Sequence, residues 1–271
     1  MTKLDYGTQL SPGPITFLVG DVILQIKKPQ LREIADITFQ LFIIFEEYLK
    51  LTPELFYTKI LDKEEYWNGL SLEERDAISI IDICSEYQEI AQIYEKILSF
   101  FLDEPVIFGE GAFIILNHEL DENEELIPAN VKFVIKGKIL NYVISICKQV
   151  CVMDTDDDED INEMKFKNEA ARKLYERLHA AKKKQKAKKT TDINLTLPNI
   201  ISVVSNNHPS INPINVWDLT LFQLFDAFNR LQLDKIYNID STRVSVWGDE
   251  KKKFDPAFWY KNEYDKPQSS S

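Results

Sequence analysis

QLREIADITFQLFIIFEEYLKL, residues 30–51, decides the fold class. Its apolar side chains recur at Leu31, Ile34, Ile37, Leu41, Ile44, Phe45 and Tyr48, the 3.6-residue period of a helix with one wide apolar face. Immediately before it, ITFLVGDVILQI (residues 15–26) holds two β-rich runs around Gly20-Asp21, which predicts a hairpin. Pro29 is placed for the first turn of the helix. Pro53 ends or restarts it.

Further out, Ser71 and Glu74 have the spacing of a capping box, and the residues from there to Phe101 predict one or two amphipathic helices. Residues 105–136 change character, with β-rich runs, glycines and an acidic loop, and predict short strands or irregular structure. Helix returns from Asn141 to Met153. The expected class is therefore mainly α (α+β). It starts with a domain over 1–153 that carries an N-terminal hairpin, a helical body and short strands.

Residues 154–160, DTDDDED, form an acidic block that repels itself and reads as a solvated loop. A charged helix follows and ends in the lysine run from Lys182 to Lys189, so 154–192 is expected to be a charged acidic and basic connector. The composition then turns apolar and aromatic. Asn199 to Val204 predicts a short helix, and Trp217, Leu221, Leu224, Phe225, Phe228 and Leu231 make a helical stripe. Residues 193–271 are thus expected to be a small helical domain. Beyond Ser241 no period is evident, and the expectation is a tail packing through Trp247, Phe254, Phe258 and Trp259.

Composition narrows the function. A hydrophobic share of 44% supports a packed core. A net charge of -12 opposes phosphate and anionic membrane surfaces, so neither nucleic acid nor membrane is an expected partner. No apolar run is long enough to span a bilayer, and MTKLDYGTQLSPGP lacks the apolar core of a signal peptide, so a cytoplasmic location is expected. The odd number of cysteines argues against a disulfide framework. Cys147 and Cys151 share a helical face and read as buried small side chains, in preference to half of a metal site.

Particular residues suggest metal, nucleotide or catalytic chemistry. Asp154, Asp156 and Asp158 match the first ligands of a calcium loop, with Ile161 at its hydrophobic position. Glu159 stands where the turn needs glycine, however, and Lys165 where the bidentate glutamate belongs. A metal-dependent enzyme built on the Asp154–Asp160 cluster is the less favoured reading. A nuclease site could draw on Glu110, His118, Glu119 and Asp121, with nothing in the sequence to fix their geometry. Gly109 and Gly111 lack the third glycine of a dinucleotide fingerprint, and His118, His179 and His208 enter no catalytic motif. No catalytic residue, metal ligand or cofactor is assigned. The aromatic stripe reads as core, as a partner surface, or as both for different residues.

Two segments carry a resemblance. GPITFLVGDVILQIKKPQLREIADIT, with Lys28-Pro29 and Leu31 to Ile34, resembles the start of tail assembly chaperones from tailed phages and prophages of Gram-positive bacteria. INVWDLTLFQLFDAFNRLQLDKIYNI is similar to the C-terminal part of the same proteins, at Trp217, Asp218, Leu219, Thr220, Gln223, Leu224, Asp226, Phe228 and Leu231. The resemblance implies a non-enzymatic role, coating the tape-measure protein in the host cytoplasm and delivering it to tail-tube subunits, with the chaperone leaving before the virion is complete. It places partner contacts at Trp217, Leu221, Leu224, Phe225, Phe228 and Leu231, and self-association is a further expectation. The alternative is a structural tail or baseplate protein retained in the virion.

Overall fold

The computed structural model describes residues 3–118, 126–153, 193–249, 253–262 and 264. The chain divides into two compact units, residues 1–154 and 155–271. The fold is mainly α with two small antiparallel sheets, the class expected from the sequence.

In the first unit, helix α1 (Tyr6–Leu10) precedes the hairpin of β1 (Ile15–Val19) and β2 (Val22–Ile26). Ile15 pairs with Ile26 and Val19 with Val22 across a two-residue turn whose Gly20 has φ 60°, the sign that glycine supplies without strain. Leu24 and Ile26 point into the core, while Leu18 and Ile23 face each other on the exposed side. Lys28 is buried, and its ammonium donates to the carbonyls of Thr8 and Ser11 (2.6 Å to the latter), which ties α1 to the base of the hairpin. Burial holds the Lys28 pKa below the usual lysine value, with Asp5 opposing that shift. At the other end, the Gln9 amide donates to the Gln149 carbonyl and the Leu4 N–H to the Gln149 side chain.

The helix expected over 30–51 is two helices, α2 (Leu31–Asp36) and α3 (Phe39–Leu49). Ile37 and Thr38 are both β-branched and weak helix formers. Thr38 leaves the helical region at φ 73° and uses its hydroxyl to cap α3 through the Leu41 N–H. Pro29 lies ahead of the first turn: Gln30 is the cap, and its N–H donates to the Glu33 carboxylate at 2.8 Å. Pro53 restarts the chain as α4 (Pro53–Leu55), which passes into a π-helical turn over Phe56–Ile60.

Glu64–Gly69 (α5) leads to α6 (Leu72–Ala77), where Ser71 and Glu74 form the expected capping box. The stretch to Phe101 holds three helices where one or two were expected: α6, α7 (Ile80–Glu86) and α8 (Gln88–Leu102). Ser79 opens α7 with a second capping box, to Asp82, and it is this local side chain to backbone bonding that divides the stretch.

Helix α8 is the centre of the unit. Tyr94, Ile97, Leu98 and Phe101 along it are inaccessible to solvent, and the Tyr94 hydroxyl donates to the Tyr48 carbonyl at 2.8 Å. Beside it lies the second sheet, in the order β3 (Val106–Gly109), β4 (Ala112–Leu116), β5 (Val131–Ile135), the short strands expected for this region. The middle strand is buried at all five positions, so its run of apolar residues shows no alternation. Glu110 and Gly111 both take positive φ in the β3–β4 turn, which gives the GEG triplet a hairpin role. Helix α9 (Lys138–Val150) closes the unit.

The second unit is built on a short helix (Leu197–Asn207) packed against a long helix (Leu221–Trp247). The long helix runs through Ser241–Trp247, a stretch expected to belong to a tail packing only through its aromatics. Its polar residues are helix-compatible, and Ser241, Thr242 and Ser245 bond back to carbonyls of the preceding turn. No described helix is long and apolar enough to cross a membrane.

Candidate partner-binding surface

The long helix begins at a defined cap. The Thr220 hydroxyl accepts from the Gln223 N–H, and the Gln223 side chain accepts from the Thr220 N–H, a reciprocal capping box. Trp217 therefore stands outside the helix, in a 3-10 turn over Asn215–Asp218 that is braced by mutual Asn212 and Asn215 side-chain bonds. Its indole N–H donates to the Pro213 carbonyl at 3.0 Å, which orients the half-buried ring.

The six stripe residues separate by burial. Leu221 and Leu224 are 2% and 0% exposed and belong to the core of the unit, together with Val216, Phe222, Ile200, Ile201 and Val204. Trp217, Phe225, Phe228 and Leu231 are half-buried, with part of each side chain open to solvent.

Past Gly248, whose φ of 76° ends the helix, the chain reverses. The Asp249 carboxylate accepts from the N–H groups of Phe254 and Lys253, bonds that also hold its pKa below the usual carboxylate range. Phe254 then meets Tyr237, the Lys261 carbonyl accepts from Arg230, and Tyr264 stands edge-on to Phe222. The tail thus returns antiparallel along the long helix and covers the side of it that carries Phe222, Arg230 and Tyr237.

The sequence reading missed the far half of the helix. Ile236, Ile239, Val246 and Trp247 are 47%, 68%, 64% and 79% exposed. Ile236, Ile239, Arg243 and Val246 are spaced three, four and three residues apart, so they share one face, with Trp247 at its edge. That alternation of three- and four-residue steps was the available signal. It was masked by Asp240, Ser241 and Thr242, which look like the start of a loop.

Elsewhere, only part of the residues considered for chemistry fall within the described structure. Glu110 sits in the β3–β4 turn and His118 just beyond β4, while Glu119, Asp121 and the Asp154–Asp160 block lie outside the described residues, as does the lysine run. Among the described residues, no group of three or more His, Cys, Asp and Glu side chains is placed to hold a metal ion. Cys84, Cys147 and Cys151 are free and buried, and burial raises all three thiol pKa values, that of Cys84 to about 12.

The second unit has a counterpart among known families. Residues 182–264, less than half of the chain, match a family model described as YomV second domain, a phage-associated domain. The match takes in the short helix, the long helix and the returning tail. No curated protein and no solved structure matches the chain.

Proposed function

We propose that the chain is a non-enzymatic phage tail assembly chaperone, acting in the host cytoplasm, that holds the tape-measure protein and presents it to tail-tube subunits. The observation that carries this reading is the long helix of the phage-associated unit, which offers half-exposed aromatic and apolar side chains next to a rigid cap. In this reading Leu221 and Leu224 anchor the helix, and Trp217, Phe225, Phe228 and Leu231 touch the client. A helical client would lay its own apolar stripe against them, an arrangement that buries aromatic anchors without requiring a deep pocket.

A tagged pull-down from phage-producing cells, with mass spectrometry of the eluate and of purified virions, tests the proposal. Tape-measure and tube proteins are expected in the eluate, with this chain absent from virions. Finding it in virions at fixed stoichiometry would make it a structural tail or baseplate protein. An eluate free of tail proteins would refute both readings.

A further inference from the structure

The Lys235 ammonium donates to the Asn207 side chain at 3.3 Å, so the short helix ends level with residue 235 of the long one. Residues 236–247 extend about 18 Å past that point at 1.5 Å per residue. On this overhang Ile236, Ile239, Val246 and Trp247 stand exposed. Their exposed parts together come to on the order of 500 Å², a patch large enough to mark an interaction site.

Charge and area identify the occupant. In a chain of net charge -12, the overhang carries one acid, Asp240, and one base, Arg243, and is neutral. A second copy of a surface with net charge would be repelled, and this surface removes that obstacle. Two copies covering each other's patch bury on the order of 1,000 Å², the size at which a specific interface begins.

Orientation follows from Arg243, which lies on the seam. A parallel, in-register pair would place the two Arg243 guanidinium groups against each other. An antiparallel pair centred near residue 241 sets Ile236 of one copy against Val246 of the other, and Arg243 against Ile239 with Asp240 alongside. The arginine stem then covers the isoleucine, while its head, which pairs with Asp240 of its own helix at 3.2 Å, also meets the carboxylate of the other copy.

We infer that residues 236–247 pair with the same residues of a second copy, antiparallel about a two-fold axis, so that the protein acts as a dimer joined at this overhang. The pairing is independent of whether the client is a tape-measure protein.

Sedimentation velocity on the full chain, from roughly 1 to 100 μM, reads it directly. A shift from one to two copies is expected within that range. Ile239→Asp and, separately, Val246→Asp are expected to weaken the dimer at least about 100-fold while leaving the thermal transitions unchanged, because both positions are exposed in the single chain. Chains carrying Ile236→Cys and Val246→Cys are expected to cross-link when mixed and much less when alone; the native cysteines are buried and do not compete. A single copy at every concentration, or aspartate variants that dimerise like the parent, would overturn the inference. Stronger cross-linking of either variant alone would overturn the antiparallel arrangement. An Ile239→Asp chain that loses a client without any change in mass would assign the overhang to that client instead.

Discussion

Thr38→Gly is expected to stabilise the first unit, although it removes a helix cap. Thr38 sits at φ 73° and ψ 142°, a backbone conformation that a β-branched residue enters at a cost of about 1–3 kcal/mol and glycine adopts freely. Its hydroxyl accepts from the Leu41 N–H at 3.3 Å, a long bond whose loss costs about 0.5 kcal/mol. Glycine also adds roughly 0.5–1 kcal/mol of chain entropy to be lost on folding. With the strain near the middle of its range, the balance is a gain of about 1 kcal/mol, or about 3 °C in the melting temperature of a unit this size. Thr38→Ala retains the strain and loses the cap, so it should lower stability by about 0.5–1 kcal/mol. Differential scanning calorimetry of the full-length chain measures both. A Thr38→Gly chain that melts below the parent, or an alanine variant that melts above it, would show that the bend between α2 and α3 is unstrained.

Three further outcomes follow from the burial pattern. Leu224→Ala empties a fully buried site and should cost about 2–5 kcal/mol, whereas Phe228→Ala, at a half-buried site, should cost distinctly less; urea unfolding of the two variants checks the order. Tyr94→Phe removes one hydroxyl from the core of the first unit, but the Tyr48 carbonyl still accepts from the Leu51 N–H at 3.1 Å, so the loss should be about 1 kcal/mol in the same assay. Burial raises the folded pKa of Cys84, Cys147, Cys151 and Tyr94 above their ordinary values of 9 and 10. Groups shifted upward contribute stability that is complete below those values and is lost as pH rises past them, because the unfolded chain then ionises first. Stability should hold up to about pH 9 and fall beyond it, and absorbance at 295 nm should report Tyr94 ionising together with unfolding instead of ahead of it.

Much of the architecture could be read from local chemistry. The Gly20-Asp21 turn, the Ser71–Glu74 box and the restart at Pro53 are each specified by a few adjacent residues, and each stands where the sequence places it. Errors arose where periodicity ran through a capping residue. Thr38 and Ser79 both sit in apolar surroundings that keep a helical period, and each ends one helix by capping the next, which a pattern of apolar positions does not register. The candidate surface was half legible for a related reason. Burial is a tertiary property, so the stripe alone did not reveal that Leu221 and Leu224 would be covered while Phe225 and Phe228 would remain partly open. The overhang was hidden because Asp240, Ser241 and Thr242 resemble a loop, yet their hydroxyls and carboxylate bond within the helix and let it continue.

The geometry of α8 against β3 bears on how the protein behaves when it is abundant. The Val106 N–H donates to the Ser99 hydroxyl at 3.0 Å and the Phe108 N–H to the Glu95 carboxylate at 2.6 Å. Four residues of helix rise about 6 Å and two residues of strand about 6.8 Å, so alternate amides of an edge strand can be matched by successive turns of an antiparallel neighbour helix. A helix thereby takes the place of a fourth strand. The sheet is terminated on that side by side chains held in a rigid register, and an extended segment from another molecule finds those two donors already occupied. Growth by strand addition, the route by which crowded chains recruit each other into fibres, is left the opposite border of this sheet, formed by β5.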